Sequence, residues 1–445
     1  MNLTITPTKL KGTITPPPSK SMAHRLILCA ALSRGRSVIE NVARSLDIEA
    51  TLRCVSAMGT CVEDLGNDSL CIHGMGNSVP QADGPLIHFD CGESGSTLRF
   101  MIPIALAVVG GGVFTGSGRL MERPLQPYFH LFEEKGIFYE QKDGVLTVRG
   151  RLQPGEYRLP GDVSSQFFTG LLYALPLLDG DSTIVSTTAV ESIGYINMTR
   201  RAMEAFGVKT DRKGNAFHVA GNQHFQQHTA AVEADWSQAA FWYAAACVGN
   251  DITVTGMDNR SLQLDRLVVD YMDMILNRPL RGGMTAAAPI YQAVESEKTP
   301  TAPPVVPHSG GCGVGLDVRH VPDLVPPLAA MGAFMNGSLT LKNAGRLRMK
   351  ESDRLATVAA TLNALGARVT EGADRLIIEG QPSLRGGVTI DCCNDHRIAM
   401  MAAIAATGCR ETVTLLGAEC VQKSYPNFWE HYQMLGGLIH EHTGE

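Results

Sequence analysis

The sequence predicts an α/β protein made of six copies of one unit, each about 70 residues long. Three observations predict it. An Ala-rich apolar stretch of helical length closes on a glycine six times, at Gly35, Gly110, Gly180, Gly249, Gly337 and Gly408. A short β-branched or alternating strand follows each one: Val38-Ile39, Val113-Phe114-Thr115, Thr183-Ile184-Val185, Ile252-Thr253-Val254, Leu339-Thr340-Leu341 and Thr412-Val413-Thr414. A second helix then follows, and in five copies it closes on a further glycine: Gly59, Gly136, Gly207, Gly366 and Gly436. The first helix is apolar nearly all round, so it is expected inside a domain. The second is amphipathic, as in Leu355, Val358, Leu362 and Leu365 or Leu264, Val268, Tyr271 and Ile275, so it is expected outside.

The N-terminus, Met1 to Pro7, reads as a strand and lacks the basic-then-apolar pattern of a signal peptide. The inner helices start at Ser19-Lys20-Ser21, Glu93-Ser94-Gly95, Asp162-Val163-Ser164-Ser165, Asp235-Trp236-Ser237, Pro322-Asp323 and Asn394-Asp395-His396. Each offers a capping Ser, Asp or Asn. The fourth copy is longer than the rest, and its excess, around 280–315, is rich in Gly, Pro and Ala and reads as a loop insertion. No G-x-G-x-x-G or G-x-x-x-x-G-K-[ST] follows a strand, which argues against a dinucleotide or nucleoside-triphosphate fold.

A length of 445 residues allows two or three domains of ordinary size. The net charge of −6 argues against nucleic acid or an anionic membrane as partner, because no global positive field exists. The longest apolar run, Phe100 to Phe114, falls short of the ~20 residues that span a bilayer. The 11 cysteines are odd in number and irregular in spacing, which points to reduced thiols in a cytoplasmic protein and to no zinc site. The histidines show no ligand spacing such as H-E-x-x-H, so neither metal nor organic cofactor is expected.

The helix starts carry the chemistry. Lys20 with Arg25, Arg99 and Arg397 place cations where the helix dipole is already positive. Capping alone does not account for that. Backbone N–H groups, hydroxyls and cations together make an anion site. The outer-helix starts repeat the theme at Arg119 to Pro124, Glu191-Ser192, Lys350 to Arg354 and Lys423-Ser424. Glu351 and Asp323 are carboxylates set among these cations and are candidate proton carriers. The pattern points to an enzyme acting on a small, multiply anionic substrate.

At these residues the sequence resembles the 5-enolpyruvylshikimate-3-phosphate synthase family. Ser19-Lys20-Ser21 with Arg25, Gly95-Ser96-Thr97 with Arg99, Glu122-Arg123-Pro124, Ser164-Ser165-Gln166, Lys350-Glu351-Ser352-Asp353-Arg354, Asn394-Asp395-His396-Arg397 and Lys423 carry the resemblance in order along essentially the whole chain. It implies a two-domain inside-out α/β barrel of six βαβαββ-like repeats, three per domain, with buried helices and outer sheets. One domain is expected at 20–234 and the other at 1–19 plus 235–445, with the active site in the cleft between them. The implied reaction joins shikimate 3-phosphate to phosphoenolpyruvate and releases phosphate. Lys20, Ser21, Arg25, Ser164, Ser165, Gln166, Ser192, Tyr195, Asp323 and Lys350 are implied on the shikimate 3-phosphate side. Lys20, Gly95, Arg123, Gln166, Arg354, Arg397 and Lys423 are implied around phosphoenolpyruvate. Lys20, Asp323 and Glu351 are the implied proton carriers, with Asp323 the best candidate base. No cofactor is implied, and the family suggests a monomer.

Glu93 departs from the family, which usually has Asn there, and a carboxylate near a phosphate is unfavourable unless paired or turned away. Gly95 leaves room for the family inhibitor glyphosate. The nearest rival is the related enolpyruvyl transferase acting on UDP-N-acetylglucosamine, which needs a reactive loop Cys; residues 116–119 contain none. A non-catalytic anion- or nucleic-acid-binding scaffold of the same repeat is the rival of a different class.

Overall fold

The computed structural model describes residues 1–76, 85–276 and 313–442. The chain divides into two compact units, Pro18–Glu233 and Met1–Pro17 joined to Ala234–Glu445.

In the first unit inner and outer helices alternate: α1 (Lys20–Leu32) and α2 (Leu46–Ala57), α3 (Gly95–Val108) and α4 (Gln126–Lys135), α5 (Ser165–Ala174) and α6 (Ile193–Ala205). The second unit continues with α7 (Trp236–Cys247) and α8 (Val268–Leu276), α9 (Val325–Phe334) and α10 (Arg354–Ala364), α11 (His396–Ala406) and α12 (Phe428–Met434). The inner helices are the core. Every residue of α11 is buried, and α7, α9 and α11 pack on one another. Outer helices bury one stripe, with Leu355, Val358, Leu362 and Leu365 all fully covered.

Among the described residues five of the six repeats carry a four-stranded sheet of constant order, and the fourth carries a two-stranded one. In the third, Gly155–Leu159 pairs in parallel with Ser182–Ser186, which pairs antiparallel with Ala216–Val219 and so with Thr210–Lys213. A helical crossover forces the parallel pair, and a hairpin closes the antiparallel edge. The sheets begun by His88–Asp90 and Gly313–Asp317 follow the same order. The first and sixth sheets borrow strands. Thr229–Ala231, from the end of the third repeat, pairs in parallel with the strand Arg34–Glu40. Asn2–Thr6 lies between Val413–Leu416 and Leu438–His442. Lys11–Ile14 pairs in parallel with Asp251–Val254 of the fourth repeat.

The outer-helix glycines behave as expected: Gly59, Gly136, Gly207, Gly366 and Gly436 all have positive φ just past a helix end. The inner-helix glycines need correction. Gly110 and Gly249 are left-handed and follow their caps. Gly35 lies inside a strand, Gly180 follows a short 3-10 turn, Gly337 falls two residues beyond its cap, and Gly408 is not left-handed. Buried Ala-rich helices end where the next strand must enter the sheet, so no solvent-exposed cap is required. The capping expectation holds for Ser19, Ser94, Ser164, Asp235 and Asp395. It fails at Asp323, which sits in the 3-10 turn Pro322–Leu324 and caps nothing. The loop expected around 280–315 lies largely outside the described residues, and its end is corrected, since Gly313–Asp317 is a strand.

Candidate functional site

In the first unit the anion-binding candidates gather at the starts of α1, α3, α5 and α6. Ser19 caps α1, and Lys20 in its first turn reaches the Asp47 carboxylate of α2 at 2.7 Å. Arg25, one turn on, is buried. Its Nε donates to Thr199 Oγ1 at 2.9 Å, Nη1 to the Ser21 carbonyl at 2.6 Å and Nη2 to the Tyr195 carbonyl at 2.9 Å. The guanidinium lies 5.9 Å from the Tyr195 ring centroid, so Tyr195 holds Arg25 through both backbone and ring. Ser192 precedes α6 in the left-handed region (φ 54) and is buried.

A second set surrounds the start of α3. Arg99 Nη1 donates to Gln166 Oε1 at 2.7 Å, and Gln166 Nε2 donates to Ser96 Oγ at 2.9 Å. Ser164 caps α5 by accepting from the Gln166 N–H, with Ser165 buried beside it. Gly95 sits among these groups. A Cβ there would lie 2.7 Å from Arg123 Nη1, 3.1 Å from Arg99 Nη1 and 3.8 Å from Gln166 Oε1. Only a residue without a side chain leaves this backbone open beside two guanidiniums. Glu93 rests elsewhere, with Oε1 2.6 Å from where a Gly118 Cβ would be, against the loop before Arg119.

Arg99 is itself held by an unusual device. Pro103 has no N–H, so the Arg99 carbonyl one turn back loses its helical partner. The buried Tyr128 hydroxyl donates to that carbonyl at 2.8 Å. Gly170 of α5 lets the helices approach, since a Cβ there would meet the same carbonyl at 2.5 Å.

In the second unit one buried network joins α9, α10 and α11. Arg354, 1% exposed, opens α10 and grips Asp395 through Nε at 2.9 Å and Nη2 at 3.1 Å. Its Nη1 reaches Asp323 Oδ1 at 2.9 Å, and Nη2 also bonds Glu351. Lys350 Nζ is 3.3 Å from Asp323 Oδ1 and Arg397 Nη2 is 3.5 Å from Asp323 Oδ2. Lys423 is buried and donates to the Asn394 carbonyl at 2.6 Å. Burial alone raises the Asp323 carboxyl, but Arg397, Lys350 and Arg354 outweigh it and hold the group well below the usual carboxylate range. Burial lowers the Lys350 ammonium despite Asp323. Burial lowers Arg354 too, yet Asp395, Glu351 and Asp323 raise it further than burial depresses it.

The described structure therefore brings Lys20, Ser21, Arg25, Ser192 and Tyr195 to neighbouring helix starts, and Gly95, Arg123 and Gln166, with Ser164 and Ser165, to a second. Asp323, Lys350, Glu351, Arg354 and Arg397 form a third group within the other unit, with Lys423 anchored on Asn394 beside Asp395. Sequence reasoning missed Asp47, because an acid in the first turn of a helix reads as a dipole partner. It missed Asp395 as the counter-ion of Arg354, because Asp395 also caps α11 through the Arg397 N–H at 3.0 Å and that role hides the other.

Repeated α/β units with buried guanidiniums and ammoniums at helix starts, and carboxylates locked among them, define an enzyme class that handles small polyanions by acid–base chemistry. Comparison with known proteins gives the family. Residues 5–432 match the EPSP synthase (3-phosphoshikimate 1-carboxyvinyltransferase) family, and the chain belongs to it. The 3-phosphoshikimate 1-carboxyvinyltransferase of Clostridium kluyveri is 44% identical over 443 residues, covering 99% of this chain and 98% of that protein. The protein of the same name from Clostridioides difficile is 40% identical over 449 residues, with 99% and 98% covered. An EPSP synthase structure from Acinetobacter baumannii shares the fold, with a TM-score of 0.73 at 24% identity over 99% of this chain and 100% of that one.

Proposed function

We propose that the protein transfers the enolpyruvyl group of phosphoenolpyruvate to the 5-hydroxyl of shikimate 3-phosphate and releases phosphate, as the names of its relatives suggest. The observation that carries this is Asp323, a carboxylate within 3.5 Å of Lys350, Arg354 and Arg397. Cations so placed suit a small ligand bearing both carboxylate and phosphate.

Lys20, Arg123, Arg354, Arg397 and Lys423 take phosphoenolpyruvate, with Gly95 and Gln166 beside it. Ser21, Arg25, Ser164, Ser165, Gln166, Ser192 and Tyr195 take shikimate 3-phosphate, with Lys20, Asp323 and Lys350 reaching it. At rest Asp323 is a weak base, since three cations stabilise its charge. A bound dianion or trianion competes for those cations and frees the carboxylate. Asp323 then takes the 5-hydroxyl proton while Glu351 or Lys20 protonates the CH2 carbon of phosphoenolpyruvate. The hydroxyl oxygen bonds to the central carbon, giving a tetrahedral adduct. Loss of a methyl proton expels phosphate with its bridging oxygen and restores the enol ether. The chain works as a monomer in the cytoplasm, on the resemblance and on cysteines that read as reduced thiols.

Phosphate release from phosphoenolpyruvate, assayed separately with shikimate 3-phosphate and UDP-N-acetylglucosamine, tests the proposal. Release is expected with the first acceptor alone. Release only with the second, or with neither, overturns it.

A further inference from the structure

The outer face of the first sheet carries a group of metal-ligand side chains that takes no part in the chemistry above. Glu63 and Cys71 are directly opposite each other on the antiparallel strands Cys61–Gly66 and Ser69–Met75, and Cys61 is directly opposite His73. Side chains opposite one another point to the same face, and residues two apart share that face. All four therefore stand on one side of the sheet. Leu70 and Ile72 point to the other side, into the core.

The ligand atoms of Glu63, Cys71 and His73 lie within 4.8 Å of one another. Cys71 Sγ is 3.4 Å from His73 Nε2, and His73 Nε2 is 3.3 Å from Glu63 Oε1. Zinc binds sulfur at about 2.3 Å and nitrogen or carboxylate oxygen at about 2.0–2.2 Å. In a tetrahedron those bond lengths give edges of roughly 3.3–3.5 Å between nitrogen and oxygen, about 3.5 Å between sulfur and nitrogen and about 3.8 Å between two sulfurs. The two separations already match. One ligand is soft, one borderline and one hard, which suits Zn²⁺ or Co²⁺ better than Mg²⁺ or Ca²⁺. Cys71 is buried and His73 half-buried, so two of the three are partly shielded from water. Arg36 is opposite His73 on the other neighbouring strand, but it is exposed and its charge is screened.

We propose that Glu63, Cys71 and His73 bind one divalent transition-metal ion of the zinc class, with Cys61 completing the tetrahedron. Cys61 is exposed and directly opposite His73 across the pair, on the same face as the other three. On binding, each thiol gives its proton to solvent and coordinates as thiolate, and His73 binds through Nε2 as the neutral ring. The site is structural. Cys61–Gly66 is the edge strand of its sheet and carries an irregular register between Asp64 and Gly66. A metal clip fastens that edge to its neighbour. The sequence alone argued against zinc because no ligand spacing repeats; the ligands converge only through strand register.

Titration of the purified full-length protein with Co²⁺, followed by displacement with Zn²⁺, tests this. The wild type is expected to bind one Co²⁺ with the intense visible bands of a tetrahedral ion and a thiolate charge-transfer band. Cys71→Ser and His73→Ala are each expected to weaken binding at least ~100-fold, and Cys61→Ser about 10-fold, all three retaining transferase activity. Cys393→Ser, an exposed thiol elsewhere, is expected to leave the signal intact. Absence of tetrahedral bands in the wild type, or the same bands and affinity in His73→Ala and Cys71→Ser, overturns the proposal.

Discussion

Asp323→Asn separates charge from shape. The amide keeps the volume of the carboxylate but removes a negative charge lying 2.9 Å from Arg354, 3.3 Å from Lys350 and 3.5 Å from Arg397. Each contact is worth on the order of 5 kcal/mol at an effective dielectric of about 20, before solvation costs. Arg354 keeps Asp395 and Glu351, so the network holds together, but it becomes more cationic. Phosphoenolpyruvate then meets less competition for these cations. Its KM is expected to stay level or fall. Turnover loses its base, and kcat is expected to drop about 10²–10⁴-fold. Steady-state kinetics with each substrate varied in turn, beside circular dichroism to confirm folding, is the assay. A folded variant with kcat within about threefold of wild type refutes the base assignment. A raised KM for phosphoenolpyruvate with intact kcat refutes the competition argument.

Other perturbations follow from single contacts. Gly95→Ala puts a methyl 2.7 Å from Arg123 Nη1; the fold survives because guanidinium ends move, and KM for phosphoenolpyruvate is expected to rise ~10-fold, or about 1.4 kcal/mol. An unchanged KM would show that this backbone does not face the ligand. Tyr128→Phe leaves the Arg99 carbonyl without its hydroxyl donor in the core, and urea unfolding is expected to show a loss of about 1–3 kcal/mol. Asp265 is fully buried, and burial, with Asp323 nearby, raises its carboxyl to about 6. A raised carboxyl gives stability that is complete below the unfolded value near 4 and lost as pH rises through about 6. Asp265→Asn is therefore expected to gain on wild type by up to ~3 kcal/mol between pH 4 and pH 8, read from urea midpoints. An equal difference at both pH values would contradict the shift.

Particular residues show what the sequence carried. The five outer-helix glycines were legible because a left-handed residue past an exposed helix end selects glycine locally. Gly35 and Gly180 were misread because buried helix ends answer to sheet geometry. The helix-start cations were legible because Lys20, Arg25 and Arg397 break the dipole rule on sight. Their partners were not. Asp47 is 27 residues from Lys20, and Asp395 is 41 from Arg354, and nothing in either local pattern announces the pairing. Thr229–Ala231 likewise completes a sheet begun at Arg34, a placement set by the third repeat's return and by no motif of its own.

The central claim is that the buried guanidinium of Arg25 serves shikimate 3-phosphate and that of Arg397 serves phosphoenolpyruvate. Paired KM values for Arg25→Met and Arg397→Met test it most directly, because both guanidiniums are buried and both variants lose a fixed charge. Arg25→Met is expected to raise KM for shikimate 3-phosphate at least ~10-fold with little effect on phosphoenolpyruvate, and Arg397→Met to do the reverse. Equal rises for both substrates in each variant would contradict the division.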